Sequence, residues 1–307
     1  MIAVPPYARV TVSGKLRSMP CLLLALLLLL ARPLHAAELK LATWNIAWLT
    51  LRPASDPILP RDLVPRDAAD FARLAGYAQR LDADIVALQE VDGPAAAARI
   101  FDPGQYAFYF PDEADVQRSG FAVRWTLRVM RNPDLAALDL HPNARFSLRR
   151  GADITVESGG QRLRLVSIHL KAGCREERLL PPSSPDCDSL SRQAAILAEW
   201  IAARRREGVA FAIAGDFNRR LGAPGDTFLP LLERAAPLLR ATEGLSNPCW
   251  SGVRKGQPFV DHILLGGGAE RRWLPDSLRV MVYAERGGEW RDRLSDHCPV
   301  SLRLQLP

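Results

Sequence analysis

Two periods of apolar residues run along the chain, and its elements follow from them. LKLATWNIA at 39–47 alternates apolar and polar positions between polar flanks, which predicts a strand. A loop with prolines at 53, 57, 60 and 65 comes next. Phe71, Leu74, Ala78 and Leu81 then recur at helical spacing, predicting a helix over about 66–81 with one apolar face. DIVAL at 84–88 is a near-continuous apolar run, the kind found between two covering layers, and it ends in Gln89 and Glu90. Shorter strands are predicted at 106–110, 120–124, 127–131, 153–156 and 163–169.

Ser189 is a candidate cap for a helix to about 206, with Leu190, Ala194, Leu197 and Ile201 on its buried face. Val209, Ala210 and Phe211 lead into AIAGDFNR at 212–219, a buried strand expected to end at Gly215. A short helix near 227–234 and strands at 259–265, 278–283 and 297–304 complete the pattern. No internal repeat, low-complexity tract or second-domain linker is visible. Many strands with a few helices between them predict an α/β fold of two packed sheets with helices outside.

The strand ends carry the chemistry. Asn45 closes the first strand and Glu90 the second. SIHLK gives His169 and Lys171, and GDFN gives Asp216 and Asn218. VDH gives Asp261, and SDH gives Asp296 and His297. Alternation puts Asp216 and Asn218 on one face and Phe217 on the other. GDFN alone reads equally well as a turn, since Gly, Asp and Asn are all turn formers. One apolar strand ending in an ionisable group is weak evidence of a site, whereas six endings of the same few kinds are strong. Structural roles are the simpler reading for His262, Trp44, Trp48 and Cys298. Lys171 divides evenly between a site role and a solvated surface. Arg118 and Ser119, at the entrance of RSGFAVR, are candidate phosphate contacts.

Charge and cysteines set the compartment. Lys15 and Arg17 precede an apolar run from Cys21 to Ala31, and small residues follow at Ala36 and Ala37. That is the layout of an export signal, with cleavage expected after Ala36 and Ala37 as the alternative. The run is shorter than the ~20 residues a bilayer span needs, so stable membrane insertion is not expected. The expected mature chain is 37–307, long enough for one large domain. Four of the 40 basic residues fall in 1–36, leaving 36 against 34 acidic ones, a net charge of +2 instead of +6. Charge alone therefore does not single out nucleic acid as a partner. Cys174, Cys187, Cys249 and Cys298 remain, an even number that suggests disulfides in an exported chain. Cys174 and Cys187 bracket one Pro- and Ser-rich loop and are expected to pair, with Cys249–Cys298 following by elimination.

Taken together, TWNI, LQEV, SIHLK, GDFN, VDHIL and SDHCPV resemble the endonuclease/exonuclease/phosphatase superfamily, in the family's order from 41 to 300. The resemblance implies a four-layer α/β sandwich, two packed and mainly antiparallel sheets flanked by helices. It also implies in-line hydrolysis of a phosphate ester with a divalent metal, magnesium first, manganese or calcium as alternatives. Glu90 is the first candidate ligand, with Asn45 and Asp296 as further contributors. Asp216 and Asn218 would orient water and donate to phosphoryl oxygens. Asp261 would hold His297, as base or charge stabiliser. His169 would be a hydrogen-bond donor to phosphate or a general acid. The expectation is a monomeric phosphodiesterase, periplasmic or secreted, acting on nucleic acid. A sphingomyelinase-like lipid phosphodiesterase, a phosphomonoesterase and a non-catalytic binding module are the alternatives. The loops at 50–66, 111–118 and 172–190 carry no readable substrate signature.

Overall fold

Residues 38–144, 147–250 and 258–305 are described by the computed structural model; the expected export segment, 1–36, lies outside the described residues. The chain begins with β1 (Glu38–Leu49), α1 (Ala68–Leu81), β2 (Ile85–Val91), α2 (Gly93–Ala97), β3 (Tyr106–Tyr109) and β4 (Arg118–Arg124). It continues through β5 (Arg128–Arg131), β6 (Ala152–Ser158), β7 (Gln161–His169), α3 (Pro185–Glu207), β8 (Ala210–Asp216) and α4 (Phe228–Glu233). Last come β9 (Leu239–Arg240), β10 (Asp261–Gly266), β11 (Arg279–Val280), α5 (Glu289–Arg293) and β12 (Val300–Gln305).

The strands form two six-stranded sheets, ordered β11-β12-β1-β2-β4-β3 and β5-β6-β7-β8-β10-β9. Only β1–β2 and β7–β8 are parallel, so both sheets are mainly antiparallel, as expected. Strand alternation assigns the faces. Leu39, Leu41, Ile85 and Ala87 of the first sheet share one core with Leu163, Leu165, Ala212, Ala214, Ile263 and Leu265 of the second. Trp44, Ile46, Val86 and Leu88 point the other way, onto Leu74, Tyr77 and Leu81 of α1. Val166, Ile168, Phe211 and Ile213 meet Leu190, Leu197 and Ile201 of α3. The result is a helix–sheet–sheet–helix sandwich. Ala212 and Ala214 sit fully inside, so a larger side chain there would overpack the inter-sheet layer, at about 1–3 kcal/mol.

Several boundaries differ from the sequence expectation. Helix α1 starts at Ala68 because Asp67 caps it: Asp67 Oδ1 accepts from Asp70 N at 2.9 Å and Asp70 Oδ2 from Asp67 N at 3.2 Å. The cap of α3 is Ser184, not Ser189; Ser184 Oγ accepts from Cys187 N at 3.2 Å and Pro185 opens the helix. The strand expected at 278–283 shortens to β11, because the chain turns Tyr283 into the core. The strand expected from 297 begins at Val300, since Cys298 is tied to Cys249 and Pro299 has no N–H for the ladder. The strand expected to stop at Gly215 runs on to Asp216. Gly215 itself is required: a Cβ there would lie 2.0 Å from Ile168 O on the parallel neighbour.

Both expected disulfides are present. Cys174–Cys187 has its Cα atoms 5.1 Å apart and Cys249–Cys298 5.6 Å. No helix among the described residues is long and apolar enough to cross a membrane.

Candidate active site

Asn45, His169, Asp216 and Asp261 share a face. They continue the inter-sheet rows 39-41-43, 163-165-167, 210-212-214 and 263-265, all at one end of the sandwich. The registers align them, with His169 opposite Asp216 across the parallel pair and Asp261 opposite Asp216 across the antiparallel one. Beneath lies a buried polar relay: Thr43 Oγ1 donates to Gln89 Oε1 at 3.1 Å, and Gln89 Nε2 donates to Ser167 Oγ at 3.1 Å.

Glu90 reaches the same place by breaking the alternation. Strict alternation would send Gln89 inward and Glu90 toward the helix layer. The pairing of β2 instead shifts between Leu88 and Val91, and Glu90 adopts φ +58°. Such a conformation costs on the order of 1–3 kcal/mol for a non-glycine residue and is characteristic of functional sites. Ala47 (φ 41°) and Trp48 (φ 56°) also sit in the left-handed region, at the end of β1.

Asp216 is the centre. Asn45 Nδ2 donates to Glu90 Oε1 at 3.0 Å and to Asp216 Oδ2 at 3.1 Å, so one amide clips two carboxylates together. Asn45 Oδ1 accepts from Ala47 N at 2.9 Å. His169 Nε2 lies 3.7 Å from both Glu90 Oε1 and Asp216 Oδ2. On the other side, His297 Nε2 is 3.8 Å from Asp216 Oδ2, and His297 Nδ1 is 2.8 Å from Asp261 Oδ2. Asp296 Oδ1 lies 3.8 Å from His297 Nε2 and is half-exposed at the rim. Asp216 Oδ1 accepts from Asn218 N at 2.8 Å, and Asn218 has φ +51°. GDFN is thus a turn, and the same turn sets Asp216 and Asn218 in the cleft wall. Phe217 points away into the α3 side of the core.

Burial and charge set the protonation states. Burial, reinforced by the charges of Asp261 and Glu90, pushes Asp216 up to about 7, against the pull of His297. Burial also holds His169 well below the usual imidazole range, and the charges of Arg149 and His297 add to this. For His297 burial works downward too, yet Asp261 and Asp216 outweigh it and hold its pKa well above the usual value. His262 faces the other way, as expected: its Nδ1 lies 2.7 Å from Thr242 Oγ1, and burial pushes it down to about 3.

A divalent cation suits the donor set. Ligand atoms of Glu90, His169 and Asp216 lie within 4.8 Å of one another, as do those of Asp216, Asp261 and His297. Carboxylate oxygens are the donors that hard cations prefer. Burial first, and the charges of Asp261 and Glu90 after it, disfavour an ionised Asp216, and a cation would offset both. Glu90 and Asp216 are the carboxylates that could hold it.

Some site residues were not visible in the sequence. Gln117 donates to Glu90 Oε2 at 2.5 Å, and Trp48 N to the same oxygen at 3.2 Å. The Arg149 guanidinium lies across His169, with nitrogen contacts of 3.0–3.2 Å to the ring. Half-buried Arg66 donates to the carbonyls of Ile46, Ala47, Trp48, Arg293 and Leu294, joining the end of β1 to the end of α5 beside the site. Ser295 Oγ donates to Asn45 O at 2.8 Å; its place at the head of SDH was the one available signal. Arg118 and Ser119 are not in the cleft wall: Arg118 donates to Asp115 O at 2.8 Å and Ser119 is fully buried. Lys171 lines the cleft and pairs with Asp186 at 2.8 Å.

Residues 42–297 match the Endonuclease/Exonuclease/phosphatase family, and the chain belongs to that family. Solved structures of the same fold include TDP2 from C. elegans, at 16% identity and TM-score 0.55, covering 90% of this chain and 78% of that one. The 3′ phosphatase NExo from Neisseria, bound to a product DNA hairpin, has 18% identity and TM-score 0.55, covering 87% and 99%. The endonuclease domain of TRAS1, a telomere-specific non-LTR retrotransposon, has 16% identity and TM-score 0.51, covering 88% and 99%. The search of curated proteins returned no match.

Proposed function

We propose that the chain is an exported, divalent-metal-dependent phosphodiesterase whose substrate is nucleic acid. One observation carries the reading: a single carboxylate, Asp216, stands between the Glu90–His169 group and the Asp261–His297 pair. That arrangement supplies carboxylates for a cation and, in His297, one charged imidazole for a phosphoryl group.

Glu90 and Asp216 would hold the ion, with Asp296 contributing at the rim. A bound divalent cation neutralises phosphoryl oxygens and polarises the ester. An ion on Asp216 would favour its ionised form, which would accept from the attacking water and orient it. Asn218, next to it, helps fix that water. His297, kept charged by Asp261, stabilises the negative oxygens that build up in the transition state. His169 stays neutral beside Arg149, which favours the hydrogen-bond role over that of a cationic acid.

The cleft supports a polymeric substrate. It measures about 870 Å³ and carries Arg149, Lys171, Arg175 and Arg291 around the acidic centre. Cations flanking one hydrolytic point fit neighbouring phosphates of a strand. Zebrafish TDP2, of the same fold, was solved with single-stranded DNA product. Exposed large apolar side chains among the described residues (Leu51, Trp125, Met130, Leu180, Leu245, Val282) are spread over separate loops and strands, which does not favour a lipid surface. Two disulfides and the layout of residues 1–36 support an oxidising compartment outside the cytoplasm.

The test is a substrate panel. Plasmid DNA, RNA, sphingomyelin and p-nitrophenyl phosphate are incubated with the protein and magnesium, with and without EDTA. EDTA-sensitive cleavage of DNA or RNA is expected; turnover of sphingomyelin alone would replace the nucleic-acid reading with the lipid one.

A further inference from the structure

Strands β7, β8 and β10 deliver His169, Asp216 and Asp261 at one end. Their opposite ends meet in a second concavity, of about 570 Å³. Gln161 and Arg162 open β7, Gly267 and Gly268 follow β10, and Arg271 and Arg272 come from the next turn, Ala269–Arg272. Its wall carries three arginines, and the acids at its edge are Glu157 and Glu270, the latter accepting from Gly268 N at 2.9 Å. The seven residues of β8 separate the concavity from Asp216 by roughly 20 Å, at about 3.3 Å per residue.

The three arginines are not equally engaged. Arg162 Nε donates to Glu157 Oε1 at 2.9 Å and Arg271 Nη1 to Glu270 Oε1 at 3.3 Å, each bond using one of five N–H donors. Arg272 Nη2 donates to Gln161 Oε1 at 3.0 Å. Its Nη1 is buried and has no hydrogen-bond partner among the described residues. That atom has almost no accessible surface, so an anion in the concavity would meet the freer donors of Arg162 and Arg271, whose side chains are 62% and 80% exposed. The wall stays open because Gly267 (φ +63°) and Gly268 (φ +102°) leave bare backbone there; a Cβ on Gly267 would strike Val209 O at 2.3 Å. Gly208, the cap of α3, also lines it, and Arg204, Arg205 and Arg206 in the last turn offset the negative end of that helix.

We propose that this concavity is a second anion site and that it takes a phosphate group, either as the free ion or as one phosphate of a nucleic-acid strand. A planar guanidinium suits two phosphate oxygens at once. The strand source rests on the function proposed above, and the free-ion source does not.

Amide NMR of the isolated protein tests it, read at Gly267 and Gly268. Inorganic phosphate is one probe, and a 12-nucleotide single strand in EDTA is the other. Saturable movement of these signals is expected. The double variant Arg162→Gln/Arg272→Gln should weaken phosphate binding at least tenfold while leaving bis-p-nitrophenyl phosphate hydrolysis unchanged. If that variant fails to fold, Arg271→Gln, at an exposed position, should weaken binding about threefold. Movement with the oligonucleotide at lower concentration assigns the site to a strand, and movement with phosphate alone assigns it to the free ion. No movement with either probe, or undiminished binding in the folded variants, overturns the proposal. Movement without any hydrolysis would sink the proposed function and leave this site standing.

Discussion

Asp261 and His297 meet at 2.8 Å although one opens a strand of the second sheet and the other precedes a strand of the first. The pair bridges the two sheets at the site, and it fixes both the orientation and the charge of the imidazole. Asp261→Asn should keep the fold and lower kcat about 10²–10⁴-fold, the range of a lost acid–base or charge partner. The sign of the pH effect follows. Burial lowers the His297 pKa, but Asp261 and Asp216 raise it above the unfolded value of about 6.5. The stability this contributes is fully present below about 6.5 and is lost as pH rises through the folded pKa. The alkaline limb of the rate profile should therefore move to lower pH in Asp261→Asn; an unmoved limb would count against a charged His297.

Ligand atoms of Glu90, Asp216 and His169 lie within 4.8 Å of one another, a donor set that a divalent cation can fill. Magnesium at a hundred times its dissociation constant should add about 2.7 kcal/mol of stability. At about 2–4 °C per kcal/mol, that is several degrees in Tm. Glu90→Gln should remove most of the rise. Thermal denaturation with magnesium and with EDTA measures both, and equal shifts in the two proteins would place the ion elsewhere.

Arg66 is held by five carbonyls from the ends of β1 and α5, and burial lowers its pKa only to about 10, so it remains charged. Arg66→Ala would orphan those carbonyls and cost about 2–4 kcal/mol. Arg66→Lys, with three donors on one nitrogen, should recover only part. Urea unfolding gives the stability. A fall in turnover of the still-folded Lys variant would mark Arg66 as a positioning residue for the ends of β1 and α5.

Cys298 follows His297 directly, and its disulfide with Cys249 anchors that loop. The chain-entropy relation gives about 4 kcal/mol for this closure and about 3 kcal/mol for Cys174–Cys187. The double Ser variant at 249 and 298 should lose activity beyond its loss of stability, because the imidazole loses its tether. The double Ser variant at 174 and 187 should lose mainly stability. Activity assayed well below each variant's Tm separates the two effects.

The sequence was legible where periodicity and chemistry coincided. The two sheets were legible in the alternating strands, the disulfides in an even cysteine count and one Pro- and Ser-rich loop, and the convergence of Glu90, His169, Asp216, Asp261 and His297 in strands that end in polar residues. It was illegible where the site depends on irregular backbone or on loops. The bulge at Glu90 leaves no mark in the pattern, and alternation alone aims that side chain the wrong way. Gln117, Arg149 and Arg66 come from loops whose course is set by tertiary contacts. Arg118 and Ser119 had the right position along the chain but turn toward Asp115 and the core. Ser184 outcompeted Ser189 as a cap because Pro185 already favours a helix start there.

The central claim is that phosphodiester hydrolysis is centred on Asp216. It is tested most directly by kcat/KM for bis-p-nitrophenyl phosphate, with magnesium, in the wild type and in folded Asp216→Asn, Glu90→Gln and His297→Gln. The expected result is EDTA-sensitive turnover in the wild type and a loss of at least about 10²-fold in each variant. Wild-type turnover in Asp216→Asn would contradict the account.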